Sequence, residues 1–445
     1  MRLPHSRFIH HLVLALFACF AAAQVRADLL EYVKKPEPRF AWKLLEKLTL
    51  EQGTVYDLRV TSQEWQGILW THQVQVYQPK DVAPNSVMFL YNTGGGANRA
   101  NSSFGLDLAQ KIKAPVAFVY HIPNQPLFDG KKEDALIAET FVRYLETKDG
   151  DWPLLFPMVK GVVKSMDALQ AFAKEEWKLP IKGFIVSGAS KRGWTSWLTA
   201  AADDRVVAFA PLVIDTLNMV DQMENQKRSF GTYSEQIKDY TERKLVPIPD
   251  SDEARKLWKM VDPYFYRDRT KQPKLLINGN NDPYWTTDAL NLYWDGLRGE
   301  KHVLYVPNAG HNLEQGATKD KRGDRSRAVN AMAAFARHHI TGKEMPKLNW
   351  KHEDVDGKAR LTVDASPAPK RARLWVATAP TRDFRMATWS EQLATIAEST
   401  VTGTQTPPAD GCLAFYAELD YEIDGISYHL STQIRICGQP KAGEK

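Results

Sequence analysis

Six short, uninterrupted apolar runs recur through the middle of the chain, and they restrict the fold more than any other feature. Each run has the length of a β-strand, and segments long enough for a helix separate most of them. Such runs are typical of parallel strands whose sheet is covered by helices on both faces. The runs are Val87–Tyr91, Val116–Tyr120, Ile181–Val186, Val206–Ile214, Lys274–Ile277 and His302–Val306.

Other periodic segments flank these runs. Residues 54–78 alternate polar and apolar side chains in two stretches, which predicts a pair of antiparallel strands. Apolar residues recur every three or four positions over 157–174, and a second helix is predicted over 322–341, ended by Gly342. Residues 216–269 are charged, aromatic and helical in pattern, so they predict a helical lid inserted over the carboxyl edge of the sheet.

The pattern changes near Met345. Residues 347–438 alternate again, with turn residues between the stretches, as in a small β-sandwich. A chain of 445 residues also exceeds the usual size of a single hydrophobic core. The sequence therefore predicts an α/β domain over residues 28–344 and a C-terminal β-sandwich domain over 345–445.

A disulfide is predicted inside the C-terminal domain. Asp424-Gly425 is a favoured two-residue hairpin turn. Counting outward from this turn places Cys412 and Cys437 directly opposite each other on the two strands. An even pair of cysteines in an exported protein is typical of a disulfide.

Residues 1–27 have the layout of a secretory signal peptide. Arg2 and Arg7 precede an apolar run over Leu12–Ala23, and small residues follow at Val25-Arg26-Ala27. The apolar run is too short to span a bilayer comfortably, so no integral membrane segment is expected after signal removal. The protein is therefore predicted to be exported, either to the periplasm or beyond the cell.

Composition excludes several classes of partner and cofactor. Loss of residues 1–27 removes three arginines and lowers the formal net charge from +5 to +2. A nearly balanced charge gives no general attraction for nucleic acid or an anionic membrane. Because no cysteine or histidine cluster has metal-ligand spacing, we expect neither a metal nor another cofactor.

The segment Ile185–Trp194 carries the strongest functional signal. A strand runs into Gly188-Ala189-Ser190, and an alanine-rich helix follows, which is the setting of a nucleophile elbow. Arg192 stands where a second glycine is usual, and Gly193 comes one residue late. The alternative interpretation is an ordinary strand-to-helix turn with Ser190 as the helix N-cap.

Two further residues complete a predicted catalytic triad. Asp282 and His311 each follow one of the last two apolar runs. The order Ser190, Asp282, His311, with each residue on a loop after a strand, is the arrangement of the α/β-hydrolase fold. In such a triad His311 accepts the serine proton and Asp282 orients the imidazole. Asp215, at the end of another strand, is the alternative acid.

Donors for an oxyanion are predicted at Gly95 and Lys191. Gly95 lies in a glycine-rich loop directly after an apolar run, and the Lys191 N–H immediately follows the nucleophile. The loop has an alternative interpretation as a flexible turn. Substrate-binding candidates are Trp194, Tyr284, Trp285 and His121, although aromatic side chains in such positions also serve as core.

Longer motifs resemble those of the PhoPQ-activated pathogenicity-related protein family, which is related to the autocrine proliferation repressor proteins. The resemblance implies an α/β-hydrolase and an exported protein linked to envelope stress or virulence. The Gly-x-Ser-x-x-Gly spacing also resembles the elbow of glucuronoyl esterases, which favours carbohydrate-linked esters. The motifs are Asp151–Leu155 with Pro157–Lys160, Gly188–Trp194, Asn278–Trp285, Leu374–Ala377 and Thr381–Arg385.

Together these observations predict an exported serine hydrolase. The expected reaction is ester hydrolysis, on an envelope or carbohydrate-linked ester. The expected partner is thus a small-molecule, glycan or peptide substrate. Two alternatives are a serine peptidase, with Glu224 or Glu235 of the lid holding a substrate amine, and a non-catalytic binding or signalling protein. Arg192 in the elbow favours the second alternative, and the intact triad opposes it.

Overall fold

The computed structural model describes residues 28–441, and all six predicted parallel strands lie in one sheet. Their spatial order is β5-β4-β6-β7-β8-β9, and every neighbouring pair among them is parallel. Almost all of their side chains are buried, as expected for a sheet covered on both faces. The strands are β4 (Val87–Asn92), β5 (Val116–Val119), β6 (Gly183–Ala189), β7 (Val206–Leu212), β8 (Lys274–Gly279) and β9 (Lys301–Val306).

Three antiparallel strands extend the sheet at its N-terminal side. They are β1 (Ala41–Leu50), β2 (Gly53–Trp65) and β3 (Ile68–Pro79), and β3 pairs with β5. The strand pair predicted over residues 54–78 is therefore confirmed. Its alternation has a physical cause, since only one face of β2 is fully covered.

Helices cover the two faces and form two separate cores. The predicted helices are confirmed as α4 (Leu155–Glu176) and α9 (Ser326–Thr341), and Gly342 ends α9 with a φ of 69°. Side chains of α4 pack in one core, and those of α9 pack in the other. The remaining helices are α1 (Leu29–Lys34), α2 (Arg99–Ile112), α3 (Glu133–Thr147), α5 (Lys191–Ala202), α6 (Met219–Phe230), α7 (Lys238–Glu242) and α8 (Asp252–Val261). Within residues 28–441, no helix combines the length and apolar character that crossing a lipid bilayer requires.

The predicted insert between β7 and β8 is helical, as expected. It contains α6, α7, α8 and short 3-10 turns. Its apolar side chains pack onto the α4 side of the molecule, where Trp258 contacts Phe141 of α3 edge to face. The insert therefore covers one side of the sheet's carboxyl edge.

The C-terminal strands form two sheets, as predicted for a sandwich, but one of these sheets is continuous with the central sheet. Ser431 of β17 pairs with Val303 of β9, so β17 covers what would otherwise be an open edge. Strands β12 (Arg371–Ala379), β13 (Ser390–Leu393), β16 (Gly411–Ile423), β17 (Ile426–Ser431) and β18 (Arg435–Gln439) belong to this extension. Strands β10 (Lys347–Val355), β11 (Lys358–Ser366), β14 (Thr395–Ala397) and β15 (Thr400–Gln405) form the other sheet.

The predicted disulfide is wrong. The hairpin turn at Asp424-Gly425 is present, with φ values of 48° and 87°. After β17, however, the chain leaves the ladder, and β18 resumes one residue out of register. Cys437 therefore pairs with Leu413 instead of Cys412. A one-residue slip turns side chains to opposite faces. Cys412 accordingly lies in one core and Cys437 packs against the other, and both are free thiols.

The predicted signal peptide, residues 1–27, lies outside the described residues.

Candidate active site

Ser190 occupies a strained turn between β6 and α5. Its backbone has φ 57° and ψ −125°, a conformation that is costly for any residue other than glycine. The Ser190 N–H donates to the Leu212 carbonyl of β7 at 2.9 Å, which fixes the turn to the neighbouring strand. A strained strand-to-helix turn of this kind lifts the serine oxygen above the sheet edge. Within the described residues, the Ser190 side chain makes no capping hydrogen bond to α5. This argues against the interpretation of Ser190 as a simple helix N-cap.

Two glycines make the tight turn possible. A Cβ added to Gly188 would lie 2.7 Å from the Arg192 carbonyl oxygen, and one added to Gly193 would lie 3.0 Å from the Gly188 oxygen. Both contacts are with backbone, which cannot move aside cheaply. The late glycine at position 193 therefore permits the start of α5 to lie close to the end of β6. This explains the spacing that the sequence pattern left unexplained.

The Arg192 side chain is buried and does not border the cavity beside Ser190. Its guanidinium donates to both carboxylate oxygens of Glu133, at 2.5 and 2.8 Å, and to the Ile122 carbonyl at 2.5 Å. Burial opposes ionisation of Glu133, but Arg192 outweighs it and lowers the pKa of Glu133 to about 2. The glycine-rich loop passes closely over this guanidinium, since a Cβ on Gly94 would lie 1.6 Å from Arg192 Nη2. Arg192 thus ties the elbow to the loops beside it.

The structure brings Ser190, Asp282 and His311 together. His311 Nε2 lies 2.9 Å from Ser190 Oγ, and His311 Nδ1 lies 2.8 Å from Asp282 Oδ2. The Asp282 carboxylate is 6% exposed and the His311 side chain is 25% exposed. The acid is therefore shielded from solvent, while the imidazole is partly accessible. Tyr284 stacks on the imidazole with ring centroids 4.2 Å apart. These contacts are those required for proton transfer from a serine hydroxyl.

The alternative acid, Asp215, contacts other partners. Its carboxylate accepts hydrogen bonds from Asn278 Nδ2, at 3.0 and 3.2 Å, and from the Tyr293 hydroxyl. Burial, reinforced by the nearby negative charge of Asp282, raises the pKa of Asp215 to about 7. Asp215 therefore belongs to a buried hydrogen-bonded group, whereas Asp282 alone of these two acids bonds to His311.

The loops that carry Asp282 and His311 are held by the C-terminal segment, which sequence reasoning missed. Asn281 Nδ2 donates to the carbonyls of Phe384, Arg385 and Ala387, at 3.0, 3.2 and 2.8 Å. Asn308 exchanges two hydrogen bonds of 2.8 Å with the Trp389 backbone. A sequence signal existed, because part of this segment falls within the Thr381–Arg385 motif.

The predicted oxyanion donors lie on two loops at the same edge of the sheet. Lys191 is the first residue of α5, where a backbone N–H has no intrahelical acceptor. Gly95 lies after β4, and its carbonyl accepts from the His121 N–H at 3.2 Å. The Lys191 side chain donates to Asp134 at 2.9 Å. Burial opposes its charge, but Asp134 and Glu133 raise the pKa of Lys191 above its ordinary value.

Three of the four predicted substrate-binding residues border one cavity beside Ser190. They are Trp194, Tyr284 and Trp285. His121 does not border it. Strand β5 ends before His121, whose φ of 58° turns the chain, and the imidazole lies by Gly96 and faces a different cavity with His72.

One group of side chains in the described residues has metal-ligand spacing, and it lies away from this cavity. Glu418, Asp420 and His429 present ligand atoms within 4.8 Å of one another. Arg373 donates to both carboxylates and Arg327 donates to Glu418, so cationic side chains already compensate their charge. We assign no metal to this group.

Comparisons with known proteins agree with the motifs. The family profile of the PhoPQ-activated pathogenicity-related protein matches residues 29–385. Autocrine proliferation repressor protein A of Dictyostelium discoideum is 31% identical over 92% of this chain and 89% of its own length. Similar solved structures include an acetyl xylan esterase from Thermoanaerobacterium sp., with 15% identity and a TM-score of 0.46 over 71% of this chain and 92% of its own. A glucuronoyl esterase from Solibacter usitatus has 12% identity and a TM-score of 0.41 over 64% of this chain and 88% of its own. The mostly parallel sheet, with Ser190, Asp282 and His311 at its carboxyl edge, has the arrangement of the α/β-hydrolase fold. The protein belongs to the PhoPQ-activated pathogenicity-related protein family.

Proposed function

We propose that this protein is a serine hydrolase that cleaves esters. The observation that carries the proposal is the continuous hydrogen-bonded series from Ser190 through His311 to Asp282, with both contacts shorter than 3 Å. In the proposed reaction Ser190 Oγ attacks the ester carbonyl while His311 accepts its proton. Asp282 holds the imidazole in the required tautomer, and the Lys191 and Gly95 amides stabilise the oxyanion.

The position of Arg192 supports catalysis over a purely binding role. An arginine beside the nucleophile was the one sequence feature that favoured a non-catalytic protein. Its guanidinium is bonded to Glu133 and Ile122 and does not border the cavity beside Ser190, so it does not block the serine. The strain at Ser190 supports the same conclusion, because strained backbone persists only where the surrounding structure enforces it.

The charges near Ser190 favour an ester over a peptide with a free amino terminus. Neither Glu224 nor Glu235 borders the cavity beside Ser190. The acidic side chain that does border it is Asp134, and both of its oxygens already accept hydrogen bonds, from Lys191 and from the Tyr240 hydroxyl. A substrate amine would therefore have to compete with the Lys191 ammonium for this carboxylate. Export and action on envelope or carbohydrate-linked esters stay predictions.

Labelling with a fluorophosphonate probe tests this proposal. Protein lacking residues 1–27 should be labelled and should hydrolyse p-nitrophenyl acetate, and Ser190→Ala should abolish both. Ser326→Ala, an exposed serine at the start of α9, is the matched control and should behave as wild type. Folded protein that is neither labelled nor active on small activated esters would refute the proposal.

A further inference from the structure

Two cavities meet at His311. The first contacts Ser190 and Lys191 and lies under the helical lid. The second lies on the α9 side of the sheet edge and is bordered by Ala189, Asn312 and Arg325 among others. His311 borders both, so the two cavities lie next to the residue that transfers the proton.

The contacts of each cavity indicate which part of an ester it holds. During the reaction a bond forms between Ser190 Oγ and the acyl carbon, and the bond from that carbon to the alcohol oxygen breaks. The alcohol oxygen leaves with the proton held on His311 Nε2, and water later releases the acid from Ser190 by the same route. The acyl group therefore belongs in the cavity that contacts Ser190. The alcohol oxygen lies beside both Ser190 Oγ and His311 Nε2, and the rest of the alcohol extends from there into the second cavity that His311 borders.

The two cavities differ in size. The cavity at Ser190 has a volume of about 40 Å³, and the one beyond His311 has a volume of about 200 Å³. One water molecule needs roughly 10–15 Å³ on this measure. The first cavity thus has room for only a few non-hydrogen atoms, whereas the second accepts a considerably larger group.

The wall of the smaller cavity is apolar. Lid side chains close it, and its two charged side chains, Asp134 and Lys191, are paired with each other at 2.9 Å. A charged or strongly polar acyl group would lose its hydration there without gaining a partner, which is costly. The apolar lid residues in the wall are Met219, Met223, Ile237, Val246 and Trp258.

We propose that the substrate is an ester of a short, uncharged, apolar carboxylic acid, and that the larger alcohol lies beyond His311. This inference deepens the proposed esterase function and rests on it. It also refines the expectation of carbohydrate-linked esters. A sugar acid does not fit on the Ser190 side, so any sugar must form the alcohol part of the substrate.

A series of p-nitrophenyl esters tests the inference. We expect kcat/KM to fall by at least about tenfold from the butyrate to the octanoate, because added methylenes must displace packed lid side chains. The hemisuccinate, whose acyl group carries a carboxylate, should be a poor substrate. Met223→Ala enlarges the cavity and should raise the octanoate-to-acetate ratio by about fivefold or more. Val220→Ala, exposed on the same helix, is the control and should leave the ratio unchanged.

The possible outcomes separate this inference from the proposed function. Fluorophosphonate labelling of Ser190 with equal turnover of acetate, octanoate and hemisuccinate would overturn the inference and leave the esterase function intact. A Met223→Ala variant that changes all esters by one common factor would also overturn it. Absence of both labelling and acetate turnover would refute the proposed function, and the inference with it.

Discussion

The two halves of the candidate site are built in different ways. The half that carries Ser190 is local: one strand, one strained turn and one helix, with Gly188 and Gly193 permitting the close approach. The half that carries Asp282 and His311 consists of two loops, and side chains of both loops bond to backbone at residues 384–389, about 80 to 100 residues further along the chain. Local sequence therefore determines the position of Ser190, whereas the positions of Asp282 and His311 also depend on tertiary contacts with the C-terminal segment.

This difference suggests a role for the C-terminal strands. The two loops also bond to each other, since the Asn281 N–H donates to the Ala309 carbonyl at 3.0 Å. The two loops are thus joined to each other, and residues 384–389 form hydrogen bonds with both of them. A similar contact reaches the lid, where Asp288 accepts from Arg382 and from Asn225. Arg385 also lies over the ring of Phe230 in α6, 3.9 Å from its centroid, so the C-terminal segment contacts both the acid–base loops and the insert that closes the cavity.

The largest expected effect separates the two acids of the acid–base half. Asp282→Asn should lower kcat by about 10⁴-fold, because the amide favours the wrong tautomer of His311. Asp215→Asn should leave kcat close to wild type, since Asp215 bonds to Asn278 and Tyr293 rather than to His311. Ester hydrolysis at pH 8 with thermal unfolding as the folding control measures both. A loss in the Asp215 variant larger than that in the Asp282 variant would reverse the assignment.

A smaller effect is expected from removing the contact between the Asp282 loop and the C-terminal segment. Asn281→Ala removes three hydrogen bonds to the C-terminal segment and should lower kcat by about 10- to 100-fold with little change in KM, because a displaced acid misorients His311. Asn291→Ala is the matched control. It also removes a donor to a C-terminal carbonyl, that of Ile434, but it lies outside the acid–base loops.

The steady-state constants distinguish positioning from a general loss of stability. Both asparagine variants should show similar decreases in Tm, and only Asn281→Ala should lose kcat at temperatures well below unfolding. If the two variants lose activity to the same extent, the C-terminal segment merely stabilises the fold.

The contrast between local structure and long-range tertiary contacts also explains which features the sequence could predict. Strands, helices and the elbow depend on residues close in the chain. Apolar periodicity therefore predicted the strands and helices, and Gly188-Ala189-Ser190 between a strand and a helix predicted the elbow. The triad was accessible because parallel strands end at one edge, which brings Asp282 and His311 near Ser190. The continuous sheet across Ser431 and Val303 leaves no comparable local signal.

The sequence-based predictions that were wrong or incomplete also have physical causes. The hairpin turn at Asp424 was predicted from two residues, but the position of Cys437 depends on the irregular chain after β17, which shifts the register by one. For His121, the positive φ turned the chain after β5, and periodicity does not encode such a turn. The side chains of Asn281 and Asn308 were not recognised because their partners are backbone carbonyls and amides, which carry no residue-specific pattern.

The smallest expected effect concerns the elbow half and its pH dependence. Arg192 outweighs the burial of Glu133 and lowers the pKa of this carboxyl from 4.5 to about 2 in the folded protein. A depressed folded pKa means that the ion pair stabilises the fold fully above about pH 4.5 and loses this contribution as the pH falls towards 2. Because the Glu133 side chain is 41% exposed, solvent screening keeps the contribution small.

Glu133→Gln should therefore lower Tm by about 1–2 °C at pH 7, and the difference from wild type should shrink steadily below pH 4.5. Glu146→Gln, which removes an exposed carboxylate from the same helix, controls for the change in charge. Calorimetry from pH 3 to pH 7 gives the comparison. A difference in Tm that stays constant across this range would mean that the Arg192–Glu133 pair does not titrate as its geometry requires, and that the elbow depends on backbone contacts alone.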